Sequence, residues 1–471
     1  MAFCLTAFIQ AQESKASRII KSLDIKPLDW SVPEIGKDVI REVTDNGIVL
    51  YMMENDRLPL FEINVLFKGG EAYLPAEKMA VSGLTGSLMR KGGTKNISAD
   101  SLNLLLESLG ASIETGIGLE DGHASLNILS QDMELGIRLL ADILRNPVFE
   151  QEKLDITKAQ YQNDIKRRND NIDAVAVREF NHLLYGEHPV GRILEWKYVR
   201  DISRDDLIAF HEKFMAPNNL MMGITGNFDQ GEVKKLIDKY FGDWPQKNLN
   251  LSEIPEVADT PHPGIYQFYK DINQSVIRLG HLGIKRDNPD RYAVLVMNYI
   301  LGGGSFSSRM TAKIRTDEGL TYSVGSRYQA SERDYGRFYS WCKTKSESTH
   351  RAVYLLLDEI NKIRDGKVTE EELKFAQDSY INQYVFGFTT PAQIVNRLMN
   401  LEFDNRPPDL IKDYLDNIRA VTRDDVLRVA REYLNPDDLT IVVVGNQENF
   451  EAPLDEFGKV INIEIKDPVI D

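Results

Sequence analysis

Two side chains seven residues apart, Arg315 and Tyr322, offer the most chemistry in this sequence. They lie in the stretch LGGGSFSSRMTAKIRTDEGLTYSVGSRY, from Leu301 to Tyr328. An arginine presents a fixed fork of donors. A tyrosine presents a neutral hydroxyl that donates to a carbonyl oxygen or to the oxyanion it becomes. The pattern predicts a Gly loop, a short helix from about Ser308 with Met310 and Ile314 four apart, and a stop at Gly319. A strand in which Leu320, Tyr322 and Val324 alternate then follows. Arg315 and Tyr322 would flank one tight turn and reach a peptide lying beside it. The same pattern also fits plain packing, with Tyr322 in the core on the face of Leu320 and Val324 and Arg315 merely solvated.

Other constellations are weaker. Among seven histidines only His182 and Glu187-His188 cluster, and a spacing of six puts the two rings off a common helical face, as structural residues. The run Gly302-Gly303-Gly304 lacks the Lys-Ser/Thr of a phosphate loop and follows a helical pattern, Tyr292–Leu301, so nucleotide binding is disfavoured. Cys4 and Cys342 are too few for a disulfide framework or a thiolate metal site.

The elements that must position these residues can be read along the chain. At 471 residues two or three domains are expected. The 42% hydrophobic and 27% charged content is that of a folded protein without an apolar run long enough to span a membrane. A net charge of −16 disfavours nucleic acid as a partner. The N-terminal stretch, apolar from Ala2 to Ile9 with small residues from Ala7 to Ala11, is similar to the tail of a secretory signal without its basic start. It predicts a periplasmic or secreted protein, and otherwise a cytoplasmic one. Strands are predicted at Ile48–Met53 and Leu60–Phe67, and a strand pair at Ala111–Leu129. Helices are predicted at Lys78–Lys91, at Ser98–Leu109 and at Ser130–Arg145. The second half then repeats the first. Asp205 and Asp424, Pro217 and Pro436, and Gly226 and Gly445 are each 219 residues apart, with no gap between them. The same offset lays Gln151–Leu154 on Glu370–Leu373 and Tyr161 on Tyr380. Two homologous domains, each a sheet faced by helices, follow, joined at Pro245–Gly264.

The duplicated layout, LYGEHPVGR at Leu184–Arg192, the helix and strand ending at Gly226, and GGGSFSSRM with IRTDEGLTYSV together resemble the insulinase/pitrilysin family of zinc metallopeptidases and their inactive relatives, over about Asp38 to Glu448. The resemblance implies an α+β fold of two homologous domains, each with a mainly antiparallel sheet faced by helices, forming half of a clam-shell. An N-terminal extension of residues 1–37 would precede domains at 38–250 and 251–471. The family's zinc motif is H-x-x-E-H, two imidazoles and a base on one helix. Here the motif's segment reads GLTGSLMR, with Gly86 and Arg90 at the histidine positions and Met89 at the glutamate, and the third ligand falls near Asn163 or Asp164. None of Gly86, Met89 and Arg90 can hold zinc or act as the base, and a lone carboxylate near Asn163 or Asp164 cannot rescue the site, so no cofactor is expected in this chain. Arg315 and Tyr322 keep the spacing of the pair that, in relatives, hydrogen-bonds substrate carbonyls opposite the zinc, with Gly302, Gly303, Gly304 and Ser305 beside the substrate. The resemblance thus implies a non-zinc subunit of a heterodimeric metalloendopeptidase, whose homologous partner supplies zinc and closes around an unfolded peptide. An inert scaffold or peptide-binding core subunit is the alternative.

Overall fold

The computed structural model describes residues 32–258, 262–331 and 334–471. The signal-like segment lies outside them. The first half builds a six-stranded sheet from β1 (Ile40–Val43), β2 (Val49–Glu54), β3 (Leu60–Lys68), β4 (Ser112–Ile117), β5 (Asp121–Leu129) and β6 (Leu220–Gly226), in the order β1-β2-β6-β3-β5-β4. Only β2 and β6 run parallel. The second half builds its sheet from β7 (Gly264–Tyr269), β8 (Gln274–Leu282), β9 (Thr321–Gln329), β10 (Arg337–Lys345), β11 (Thr440–Gly445) and β12 (Val460–Ile463), in the order β12-β7-β11-β8-β10-β9. Five strand positions correspond between the halves. The sixth does not: β1 arrives from the N-terminal side and pairs antiparallel with β2, whereas β12 arrives from the C-terminal side and pairs parallel with β7.

Helices follow the same duplication. The first half contributes α1 (Met79–Lys91), α2 (Ala99–Leu109), α3 (Met133–Arg145), α4 (Gln151–Lys166), α5 (Ile172–Tyr185), α6 (Arg204–Phe214) and α7 (Gln230–Phe241). The second contributes α8 (Arg291–Asn298), α9 (Thr349–Asp365), α10 (Glu370–Phe386), α11 (Pro391–Phe403), α12 (Leu410–Ala420) and α13 (Arg423–Tyr433). The repeat reaches the caps. Ser203 opens α6 and Thr422 opens α13, each in a reciprocal capping box with Asp206 or Asp425. Ser98 caps α2, which ends on Gly110 in the left-handed conformation.

One face of each sheet packs on its own helices. In β3 the alternation puts Phe61, Ile63, Val65 and Phe67 fully inside, against α1, α3 and their neighbours. The other faces are covered by exchange. From the first half, α5 lies on the second sheet, with Val175, Ala176 and Phe180 packed among Tyr266, Phe268, Val276 and Val444. From the second half, α11 lies on the first sheet, with Val395 and Met399 beside Tyr51. Gly223 of β6 allows that approach, since a Cβ there would sit 2.7 Å from Val395 Cγ1. The two exchanged helices, 172–185 and 391–403, are themselves related by the 219-residue offset. Two sheet-plus-helix domains are thus locked by a reciprocal pair of helices.

Candidate functional site: the Arg315–Tyr322 turn and the altered zinc helix

The segment carrying Arg315 departs from α-helical geometry. After α8 the chain widens into a π-helical turn at Tyr299–Gly303, and a second π-helix spans Thr311–Asp317. Inserted turns of this kind shift the following residues around the helix and are frequent at functional sites. Met310 and Ile314 are buried as the spacing predicts. Arg309 fixes this segment to α10 through a two-pronged pair with Glu372, at 2.7 and 2.9 Å. Glu318 closes it, bonded to Arg351 at 2.7 Å and Lys313 at 3.2 Å, and these cations hold its carboxyl below the usual range. Gly319 takes a φ of 68°, as the predicted stop requires.

The expected alternation through Leu320, Tyr322 and Val324 does not hold, because β9 carries a bulge. Lys343 of β10 faces Ser323 and Thr344 faces Thr321, so Tyr322 has no opposite residue across the ladder. The buried Thr321 hydroxyl fills the gap, donating to Lys343 O and accepting from Ser323 N at 2.9 Å. Tyr322 is thereby thrown outward and is 91% exposed, which removes the core-filling alternative. Arg315 Nη1 donates to Tyr322 O at 3.3 Å, and its guanidinium lies 4.6 Å from the Phe306 ring centre and 5.9 Å from that of Tyr322. The two predicted residues therefore meet at one turn. Phe306, itself 71% exposed, joins them, and nothing in the periodicity marked it.

The Gly loop needs correction. Gly302 and Gly303 belong to the π-helical end, and Gly302 and Gly304 are buried. A Cβ on Gly302 would lie 2.4 Å from Ser326 N, so this glycine lets the helix end press onto β9, where Asn298 and Ser326 hydrogen-bond at 2.8 Å. Gly303 and Ser305 are exposed, and Ser305 takes a φ of 51°.

The altered zinc helix is α1, in the other half. A Cβ on Gly86 would stand 2.4 Å from Ile117 N, because β4 has closed onto the helix where an imidazole would begin. Met89 is fully buried, and Arg90 donates from Nε to Ile113 O at 3.0 Å. Asn163 and Asp164 are exposed on α4. Zinc does not fit these residues. Among the described residues no three His, Cys, Asp or Glu side chains are grouped to hold a metal ion. Gly86→His is expected to destabilise the chain by about 1–3 kcal/mol, since β4 must move to admit the ring. Urea denaturation checks this, and an unchanged midpoint would mean the strand yields freely.

Beside α1, Glu71 has one carboxylate oxygen buried without a partner, and burial pushes its pKa up to about 7 against the opposing pull of Arg192. A carboxyl raised in the folded state stabilises below its unfolded pKa, and that stability is lost as pH rises through about 7. Glu71→Gln should therefore raise stability at pH 8 by about 1–2 kcal/mol, discounted for its part exposure, and leave it unchanged at pH 4.5. Denaturation at the two pH values tests the sign. The histidines are structural: His182 Nδ1 meets Gly191 O at 2.9 Å and His188 Nε2 meets Pro255 O at 2.9 Å, tying separate loops rather than facing each other.

Comparison with known proteins agrees with this picture. Residues 53–196 match the family model described as insulinase (peptidase family M16), and residues 201–380 match that of the peptidase M16 inactive domain. A non-peptidase homolog of Helicobacter pylori is 24% identical over 412 residues, covering 87% of this chain and 94% of that protein. An uncharacterized zinc protease of Streptomyces coelicolor is 24% identical over 353 residues, 73% of this chain and 76% of its own. A crystal structure of a peptidase M16 inactive domain from Pseudomonas fluorescens superposes with a TM-score of 0.78 at 26% identity, over 87% of this chain and 98% of that one. With the duplicated fold and the altered motif on α1, these matches establish that the chain belongs to the insulinase (M16) peptidase family, as a homologue whose zinc helix has lost its ligands.

Proposed function

We propose that this chain is the non-zinc subunit of a two-subunit peptidase. In this reading a homologous partner supplies the zinc and the base, and the two subunits close as a clam-shell around an extended peptide. This chain contributes hydrogen bonds from Arg315 and Tyr322 to the substrate's carbonyl oxygens. The observation that carries the reading is the bulge at Tyr322: a large side chain is held out of the sheet, 91% exposed, next to an arginine already fixed by the same turn. A hydroxyl so placed stabilises negative charge developing on a carbonyl oxygen without reorganising. Gly303 and Ser305 stand at the edge of the same surface, and Gly302 and Gly304 support it from within. A second reading is an inert subunit that holds peptides or scaffolds a complex. The name of the Helicobacter pylori relative, a non-peptidase homolog, favours it. Mixing this chain with a zinc-bearing homologue from the same source decides between them. Peptide hydrolysis well above that of the zinc subunit alone supports the first reading. Assembly without a gain in turnover supports the second.

A further inference from the structure

We propose that Phe306 is a positioning residue for Arg315: its ring fixes the plane of the guanidinium, so that the donors of the fork face the peptide. Its effect on turnover rests on the two-subunit reading, whereas its effect on Arg315 rests on the turn alone. An arginine side chain samples many rotamers, and a fork left unordered must be frozen each time a peptide binds. Here few groups are free to freeze it. The carboxylates that close the turn are engaged elsewhere, Glu372 by Arg309 and Glu318 by Lys313 and Arg351. Among the described residues Arg315 is held by one hydrogen bond, 3.3 Å from Nη1 to Tyr322 O, and by the rings of Phe306 at 4.6 Å and Tyr322 at 5.9 Å. A single long hydrogen bond at one corner leaves the plane free to turn about it. A ring against the guanidinium face removes that freedom, because stacking occupies the face and leaves the N–H groups directed outward in the plane. Phe306 is the nearer of the two rings, and it carries no hydroxyl of its own to offer the substrate.

The turn that presents Phe306 is built rather than loose. It is a 3-10 turn, Ser305–Ser307, pinned twice: Ser307 Oγ donates to Gly304 O at 2.7 Å, and the fully buried Ser308 donates from Oγ to Ser305 O at 2.8 Å. Gly304 seats the turn on the Tyr299 ring, where a Cβ would come within 2.6 Å of Cε1. Ser305 takes a φ of 51°, in the left-handed region that a residue with a Cβ enters only at a cost. Strain of this kind persists where the surroundings enforce it and concentrates at functional sites. Its product here is a phenyl ring, 71% exposed, that meets a guanidinium instead of the core.

NMR of the full chain with isotope-labelled arginine tests the geometry without any partner. The Nε–H signal of Arg315, identified by its absence in Arg315→Lys, should lie upfield in the ring current of Phe306. It should stay there in Phe306→Tyr and move to the position of an unstacked arginine in Phe306→Leu and Phe306→Ala. Kinetics of the reconstituted pair test the consequence. Phe306→Ala and Phe306→Leu should each lower kcat at least about fivefold with KM within about twofold of wild type, and Phe306→Tyr should restore turnover. In an Arg315→Lys background Phe306→Ala should cause no further loss, since the plane it fixes is gone. The proposal is overturned by an Arg315 signal that Phe306→Ala leaves in place, by a Phe306→Ala pair with kcat within about twofold of wild type, or by losses that add in full in the double variant. A wild-type pair without activity sinks the two-subunit reading instead, and the Arg315 signal alone then decides whether Phe306 orders the guanidinium.

Discussion

Tyr322→Phe is expected to lower kcat of the assembled two-subunit peptidase by about 10²–10³, the usual effect of removing one preorganised oxyanion donor, or about 2.7–4 kcal/mol. The bulge makes this a clean substitution. The ring makes no buried contact that the hydroxyl supports, since Tyr322 is 91% exposed, and the turn is held by Thr321 and by Arg315 on the backbone carbonyl. Folding and assembly should therefore be unchanged, and the loss should fall on kcat rather than on complex formation. Arg315→Lys should also slow turnover, because an ammonium gives up the planar fork and its seat over Phe306. Steady-state kinetics on the reconstituted pair, with the stoichiometry checked by light scattering, measures both. A Tyr322→Phe pair within twofold of the wild-type kcat would leave the scaffold reading standing.

Phe180→Ala should have the largest effect on stability, about 3–5 kcal/mol. Phe180 is fully buried, but not in the core of its own half: α5 carries it onto the second sheet, where its ring meets Tyr339 edge-on at 6.5 Å and Arg278 packs over it at 5.9 Å. Its loss empties a cavity at the seam between domains. Chemical denaturation should show one cooperative transition for the wild type and an earlier midpoint for the variant. A loss under about 1 kcal/mol would mean the exchanged helix contributes little.

Much of this arrangement was legible in the chain. The 219-residue register placed α6 and α13, β6 and β11 at equivalent positions, because Asp205 and Asp424, Pro217 and Pro436, and the closing glycines Gly226 and Gly445 are local signals that recur without gaps. The loss of the zinc ligands was equally plain, since it is a matter of side-chain type. What the periodicity missed was geometry that breaks periodicity. A bulge at Tyr322 and π-helical turns at Tyr299–Gly303 and Thr311–Asp317 each insert one residue into a regular pattern, and both depend on tertiary contacts such as Thr321 with Lys343. Hence the pattern alone left Tyr322 open between core and clamp until the family resemblance favoured the clamp, and the glycines read as a loop. The exchange of α5 and α11 was also hidden, since an amphipathic helix does not say whose sheet it covers.

That exchange also sets the order of events during synthesis. When Tyr185 leaves the ribosome, α5 has no sheet to lie on; its seat includes β11, which ends at Gly445. At about 5–20 residues per second the wait is roughly 10–50 s. For most of it, from the completion of β6 at Gly226 to the emergence of α11 at Phe403, the apolar face of α5 and the outer face of the first sheet stand open together. The nascent chain is thus obliged to pass through a long-lived, half-covered intermediate, and holding chaperones that shield such faces should raise the yield of full-length protein more than that of a chain whose halves close independently.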